Sequence, residues 1–309
     1  MKRNNLLWSK SMMIRMIFFL LWLFLLSCKT TEESVRSDPA GPDPEYNFRE
    51  EQDLVVLFSQ LDYNMREWTE AKKKGDDAGI SFFEKELYEQ SAGNLDTLLR
   101  TLRGKNNQSY RIIAAMALGF GQSPKALPVL IENLHDLDSS IVNNCLQSIG
   151  FMGDKETPLP PLVDVLRTKK GKTQAFAAYA IGETVTPKRE FHGADLALLE
   201  LLNDPEIFLR MNAVSALGKM QLKSAVKPII TTNLFHEYPR VRLAAIAALG
   251  TIKHPSATAS LIESLKDADP KIRKRTIWAL KRITDKDFED DRNSWQNWYE
   301  ANKDDLQED

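Results

Sequence analysis

Val241–Gly250 reads VRLAAIAALG, and the spacing inside this stretch recurs along most of the chain. The segments YRIIAAMALG ending at Gly119, IVNNCLQSIG at Gly150, TQAFAAYAIG at Gly182, LRMNAVSALG at Gly218 and IRKRTIWALK at Lys281 align with it. The ends are 31, 32, 36, 32 and 31 residues apart. One column is small throughout: Ala114, Cys145, Ala177, Ala213, Ala245 and Thr276. Three residues on, Ala117, Ser148, Ala180, Ala216, Ala248 and Ala279 form a second small column. A spacing of three puts both on one face of a helix, where small side chains allow a neighbouring helix to approach closely. The next column is a large aliphatic each time: Leu118, Ile149, Ile181, Leu217, Leu249 and Leu280.

Each segment follows a shorter amphipathic one, such as LPVLIENL (127–134), LPPLVDVL (159–166) or ASLIESL (259–265). A unit of two helices in about 30 residues, repeated six times, predicts an all-α fold, an α-solenoid in which each repeat rests on its neighbours. The one long interval carries extra residues around Lys188–Gly193, which predicts an enlarged edge loop.

This pattern resembles HEAT repeats, in particular the short bacterial kind of the phycobilisome lyases, over about residues 94–288. The motifs that carry the resemblance are Asp269-Pro270 before Ile272-Arg273, and Arg240-Val241-Arg242. Arg111, Arg210, Arg242 and Arg273 fill the arginine column of such repeats, whereas Val142 and Gln174 depart from it. The segment from Thr284 to Phe288 and on through Trp295, Trp298 and Tyr299 is similar to a tail that follows such repeats in bacterial envelope proteins. Its aromatic side chains are expected to cover the flank of the last repeat, so residues 289–309 form a Trp-rich cap with an acidic tail.

At the other end, Met16–Leu26 is an uninterrupted apolar run preceded by Lys2, Arg3, Lys10 and Arg15. It is too short to span a bilayer as a helix, and it has the positive flank of an export signal. Leu25-Leu26-Ser27-Cys28 resembles the lipobox of bacterial lipoproteins. The resemblance implies cleavage after residue 27 and lipidation of Cys28, so the chain would meet a membrane through its N-terminal lipid. Lys29 after the cysteine implies the outer membrane rather than the inner one. Residues 28–50, rich in proline and charge, cannot bury enough surface to fold and read as a tether. Flexible-chain scaling gives it a reach of about 25 Å. Residues 51–93 then carry two helical patterns, Leu54 to Trp68 and Ile80 to Leu87, with Lys72-Lys73-Lys74-Gly75 as the stop between them.

The composition bounds the chemistry. The net charge is −2, and loss of the four basic residues before Cys28 would make it −6. Nucleic acid is not an expected partner of such a chain. Cys28 and Cys145 are the only cysteines; with the first lipidated, packing must supply the stability. His135, His192, His236 and His254 fall in predicted turns, and no HExxH, CxxC or glycine-rich phosphate loop occurs. HEAT-type hydroxylases hold iron with several His-Glu pairs, and only His236-Glu237 is present. No catalytic residue, metal or cofactor is expected, and Cys145 reads as packing. Lys271, Arg273, Lys274, Arg275, Lys281 and Arg282 form a basic cluster next to Asp285–Asp309, whose ten acidic residues outnumber three basic ones and are expected to balance it locally.

The stripe of each second helix opposite the aliphatic column is the candidate binding surface. Met116, Phe120, Phe151, Phe176 and Tyr179 make it aromatic in the first three repeats. Either a partner's segment or residues 51–93 would cover such a patch. The expected function is a monomeric, non-enzymatic, lipid-anchored scaffold for an envelope protein or peptide; the alternative is a HEAT-like enzyme or accessory subunit acting on an envelope protein.

Overall fold

The protein is described from a computed structural model, which covers residues 48–105, 107–304 and 306. The expected signal segment, Cys28 and the tether as far as residue 47 lie outside the described residues. The chain divides into two compact units at Leu95.

In the first unit, α1 (Phe48–Lys74) and α2 (Asp77–Gly93) form a hairpin. Gly75 turns the chain at φ +68°, and the Asp76 side chain caps α2 by accepting from the Gly79 N–H at 3.0 Å. Phe58, Leu61, Trp68, Ile80 and Leu87 are buried. Trp68 Nε1 donates to Glu84 Oε1 at 3.0 Å, and the Lys72 ammonium lies 3.8 Å over the Trp68 ring and 3.9 Å from Glu84 Oε1. Burial lowers the Lys72 pKa to about 8, with Glu84 opposing the shift.

The second unit is a solenoid of six helix pairs. These are α3 (Leu95–Arg103) with α4 (Gln108–Phe120), α5 (Ala126–Glu132) with α6 (Ser139–Met152), and α7 (Leu159–Thr168) with α8 (Gly171–Thr184). Next come α9 (Ala194–Glu200) with α10 (Ile207–Lys219), α11 (Val226–Ile229) with α12 (Pro239–Ile252), and α13 (Thr258–Ser264) with α14 (Pro270–Thr284). A π-helical stretch, Ile230–Leu234, prolongs α11. The longer second helices stack on one another along the unit.

Every member of the three repeat columns is buried, from Ala114, Ala117 and Leu118 to Thr276, Ala279 and Leu280. The glycine closing each motif shows why the columns are small. A Cβ built on Gly218 would stand 2.8 Å from the Ala248 Cα, one on Gly119 2.8 Å from the Ser148 Cα, and one on Gly250 2.9 Å from the Ala279 Cα. At these junctions, as at Gly182 with the Ala216 Cα at 3.1 Å, the glycine faces the second small column of the next repeat, backbone against backbone, whereas Gly150 faces the Tyr179 ring. Ser148 uses the closeness to donate from Oγ to the Ala115 carbonyl at 2.7 Å.

The turns after the second helices follow one design. Three residues past the glycine, Gln122, Gly153, Gln221 and Lys253 take left-handed backbone with φ between 50° and 60°. At the matching place in the third repeat Val185 has φ −70°, and the chain leaves into the enlarged loop expected from the long interval. Arg189 Nη1 donates to the Lys155 carbonyl at 2.7 Å and Lys155 Nζ to the Val185 carbonyl at 3.3 Å, which pins the loop to the repeat before it.

At the far end α15 (Arg292–Asn302) packs on α13. Trp295 is fully buried, stands edge-on to Phe288 with ring centres 4.9 Å apart, and donates from Nε1 to the Glu289 carbonyl at 3.0 Å. A solenoid leaves its last repeat without a neighbour, and this aromatic helix closes the flank. Among the described residues no helix is long and apolar enough to cross a membrane.

Two outcomes follow from this packing. Gly218→Ala should cost about 1–3 kcal/mol in a denaturant melt, because backbone on the neighbouring helix cannot yield as a side-chain end can. Gly93→Ala, whose Cβ meets nothing within 4 Å, should be neutral or stabilising by up to about 1 kcal/mol. For Lys72, the folded pKa near 8 lies below the unfolded value of about 10.4. Between those two pH values the unfolded chain holds a proton that the folded chain has released, so stability rises with pH across the window. The urea midpoint of Lys72→Met, measured against wild type near pH 7.5 and near pH 10, should lack that rise.

Candidate functional site

The exposed-side stripe of the second helices runs through three positions per repeat. The first column holds Ile113, Asn144, Phe176, Asn212, Ala244 and Arg275; the second Met116, Gln147, Tyr179, Ser215, Ala247 and Trp278; the third Phe120, Phe151, Glu183, Lys219, Thr251 and Arg282.

The five aromatic and sulfur-bearing candidates do not share one environment. Met116, Phe151 and Tyr179 are half-buried, whereas Phe120 is 3% exposed and Phe176 1% exposed. Phe120 packs on Phe151 with ring centres 5.0 Å apart, and Phe176 packs edge-on against Phe208 at 6.2 Å. The expectation that all five present a contact surface is corrected for these two: their rings lie inside the packing and are not available to a partner. Tyr179 lies against Gly150, where a Cβ would come within 2.4 Å of its ring.

Between the apolar members the stripe is polar and cross-linked. Asn144 donates to the Ile112 carbonyl at 2.9 Å, and Asn212, two repeats later, donates to the Ala175 carbonyl at 2.9 Å. Both asparagines hold the carbonyl of the preceding second helix. Glu183 is buried and paired with Lys219 across a repeat junction, and Gln147 is also buried.

On the opposite edge, the arginine column seals the turns between helices. Arg111 donates to the Leu102 carbonyl at 3.2 Å and reaches Asn133 Oδ1 at 2.9 Å and the carboxylate of Asp136 in the next repeat. Arg242 makes a two-pronged contact with Asp267, at 2.7 and 3.1 Å. Although Gln174 departs from the arginine pattern, its Nε2 donates to the Leu166 carbonyl at 2.9 Å, as Arg111 does at its own turn. Where Asp136, Asp204 and Asp267 each accept the backbone N–H two residues on, His236 Nδ1 accepts that of Tyr238 at 3.1 Å. Burial and then the Arg210 guanidinium lower the His236 pKa.

Nucleophile and metal chemistry find few components here. Cys145 is fully buried in the small column, and burial pushes its thiol pKa up, the reverse of an activated thiolate. The four histidines lie in or beside turns, and among the described residues no three His, Cys, Asp or Glu side chains come together as a metal site.

The architecture is that of an α-solenoid of stacked two-helix repeats. Residues 95–182 and 228–291 match HEAT repeats, and the fold is that of a HEAT-repeat solenoid. Two engineered proteins solved by the Northeast Structural Genomics Consortium superpose with a TM-score of 0.50 each, at 18% and 21% identity, over 62% of this chain and 97% and 99% of theirs. The complex of CpcE and CpcF of phycocyanin lyase from Nostoc is similar at 17% identity over 87% of this chain and 99% of that chain, with a TM-score of 0.43. At such identities the likeness to the two engineered proteins speaks to the fold alone. No curated protein matches the sequence.

The division within the stripe can be measured. Phe176→Ala should cost about 3–5 kcal/mol, the range for emptying a buried aromatic site. Phe151→Ala, at a half-buried position, should cost clearly less in the same thermal melts.

Proposed function

We propose that this protein is a lipid-anchored HEAT-repeat scaffold of the cell envelope, attached by Cys28 and binding another envelope protein or peptide without catalysing a reaction. The observation that carries the binding half is the row of half-buried Met116, Phe151 and Tyr179 on three successive second helices. Such a row offers a ligand apolar area at low cost in side-chain entropy, and aromatic side chains dominate interface energies. Solenoids present extended surfaces of this kind because every repeat adds the same face in the same orientation.

The anchoring half rests on Leu25-Leu26-Ser27-Cys28 and on the basic, apolar leader before it. The tether lets the scaffold reorient while held near the bilayer, with the outer membrane as the proposed site. Confinement raises the local concentration of neighbouring envelope proteins, which favours capture of partners in the same membrane or just beside it.

Two variants test the two halves separately. Cys28→Ala should abolish incorporation of a labelled fatty acid and release the protein from the membrane fraction; labelling that persists rejects the anchor. Phe151→Ser with Tyr179→Ser should reduce crosslinked partner capture in intact envelopes by about tenfold or more, the effect of losing a central aromatic contact. Unchanged capture rejects the surface.

A further inference from the structure

The final repeat brings two guanidiniums to one aromatic ring. Arg275, Trp278 and Arg282 occupy all three stripe columns of α14. The Arg275 guanidinium lies 4.0 Å from the centre of the Trp278 ring, and that of Arg282 lies 5.1 Å from it. Two like charges therefore share one indole. The carboxylates that balance this basic segment sit on another side of the helix: Lys281 pairs with Asp287 and Arg273 stands 3.8 Å from Asp290. No carboxylate among the described residues comes within 4.0 Å of Arg275 or Arg282. The local neutralisation expected for the whole basic cluster thus holds for Lys281 and Arg273 and omits these two.

Arg103, Arg111, Arg242 and Arg292 each pair with a carboxylate of another repeat or helix. Among the described residues the acceptor for Arg282 is the Gly250 carbonyl, 3.0 Å from its Nε, and Arg275 is half-buried with its guanidinium over the indole. Burial and then the charge of Arg282 lower the Arg275 pKa. Gly250 also makes the place for the indole, since a Cβ there would come within 2.5 Å of the Trp278 ring. The ring is thereby held as a fixed platform. A guanidinium stacked on such a platform keeps its N–H edge free for in-plane, two-pronged contact with a carboxylate.

We propose that Arg275, Trp278 and Arg282 form a clamp for the carboxylates of an acidic polypeptide segment, the partner of the scaffold. The proposal rests on the scaffold reading and adds the chemistry of what is held. Charge complementarity fixes the sign of the ligand. The depth of the clamp favours a polypeptide over a lipid surface: Arg275 and Trp278 are half-buried, and the neighbouring second helix places the buried Ala244 and Ala247 and the half-buried Thr251 at its three stripe positions. A single extended segment can reach half-buried groups of this kind, where a flat surface cannot. A bilayer would instead meet the exposed Lys271 and Lys274.

The test measures fluorescence anisotropy of a short fluorescein-labelled oligo-glutamate peptide with the full chain in detergent. Arg275→Gln with Arg282→Gln should weaken binding about tenfold or more, the scale of losing charge-assisted hydrogen bonds. Lys271→Gln with Lys274→Gln removes the same charge and should change it by less than about twofold. Arg275→Gln alone, which spares the bond to Gly250, should still weaken binding about threefold or more with an unchanged melting temperature. The proposal fails if the two double variants weaken binding alike, since the effect is then net charge only. It fails if the oligo-glutamate does not bind while phosphatidylglycerol vesicles do. It also fails if binding appears only after Asp304, Asp305, Glu308 and Asp309 are replaced by their amides, because the chain's own tail is then the occupant. Peptide binding in detergent does not depend on Cys28, so failure of the anchor leaves this result readable.

Discussion

The close approach of a repeat's glycine to the small column of the next repeat, made by Gly119, Gly182, Gly218 and Gly250, governs the solenoid. At Gly218 and Gly250 the facing atoms are the Cα and Cβ of Ala248 and Ala279, near enough that one added methyl group would collide with backbone. Close backbone contact lets the large aliphatic that follows, such as Leu249 or Leu280, reach full burial. It also brings carbonyls of one helix within reach of side chains on the next, which Ser148, Asn144 and Asn212 exploit. The chain ends the series where this contact ceases to be needed. Lys281 stands in the glycine column of the last repeat, with no further repeat to approach it, and α15 covers the flank instead.

The same contact explains what was legible in the sequence. Small and large columns three and four residues apart are a local signal, because helix geometry converts spacing directly into a shared face. Six copies made the solenoid readable, and the long interval before Gly218 marked the loop that Lys155 and Arg189 pin down. The candidate surface was less readable, because exposure at its edge depends on partners distant in sequence. Phe120 and Phe176 lie on the expected stripe, yet Phe151 and Phe208 from the following helix fold against them. Nothing within either motif states how large the facing residue will be. Gln174 illustrates the opposite case. Its residue type breaks the arginine pattern, but an amide N–H supplies the same cap to a carbonyl, so the function survives the change.

Tyr179 and Trp278 join the two themes. Both stand in the same stripe column, and both rest where the preceding helix has a glycine, Gly150 or Gly250. In most junctions the notch above the glycine serves helix packing alone; in these two it also seats an aromatic ring whose other side reaches the surface. A rigidly seated ring costs little further entropy when a ligand arrives, which is the property wanted of a binding anchor. The backbone device that builds the solenoid therefore also seats the two proposed anchors.

Their surroundings then divide the labour along the stripe. Near Tyr179 the charged members Glu183 and Lys219 neutralise each other across a repeat junction, so that region offers apolar area with little net field. Around Trp278 no such compensation exists, and two guanidiniums flank one ring. A partner that pairs an apolar segment with a carboxylate-rich one would match both regions in a fixed order along the stack. Because successive second helices are held by backbone contact, the distance between the two regions is set by repeat number and not by loop motion. On the proposed function the solenoid would therefore also set the direction of binding: reversing the partner would press its carboxylates against the aromatic row and leave Arg275 and Arg282 uncompensated, a mismatch that disfavours the wrong orientation more than it strengthens the right one.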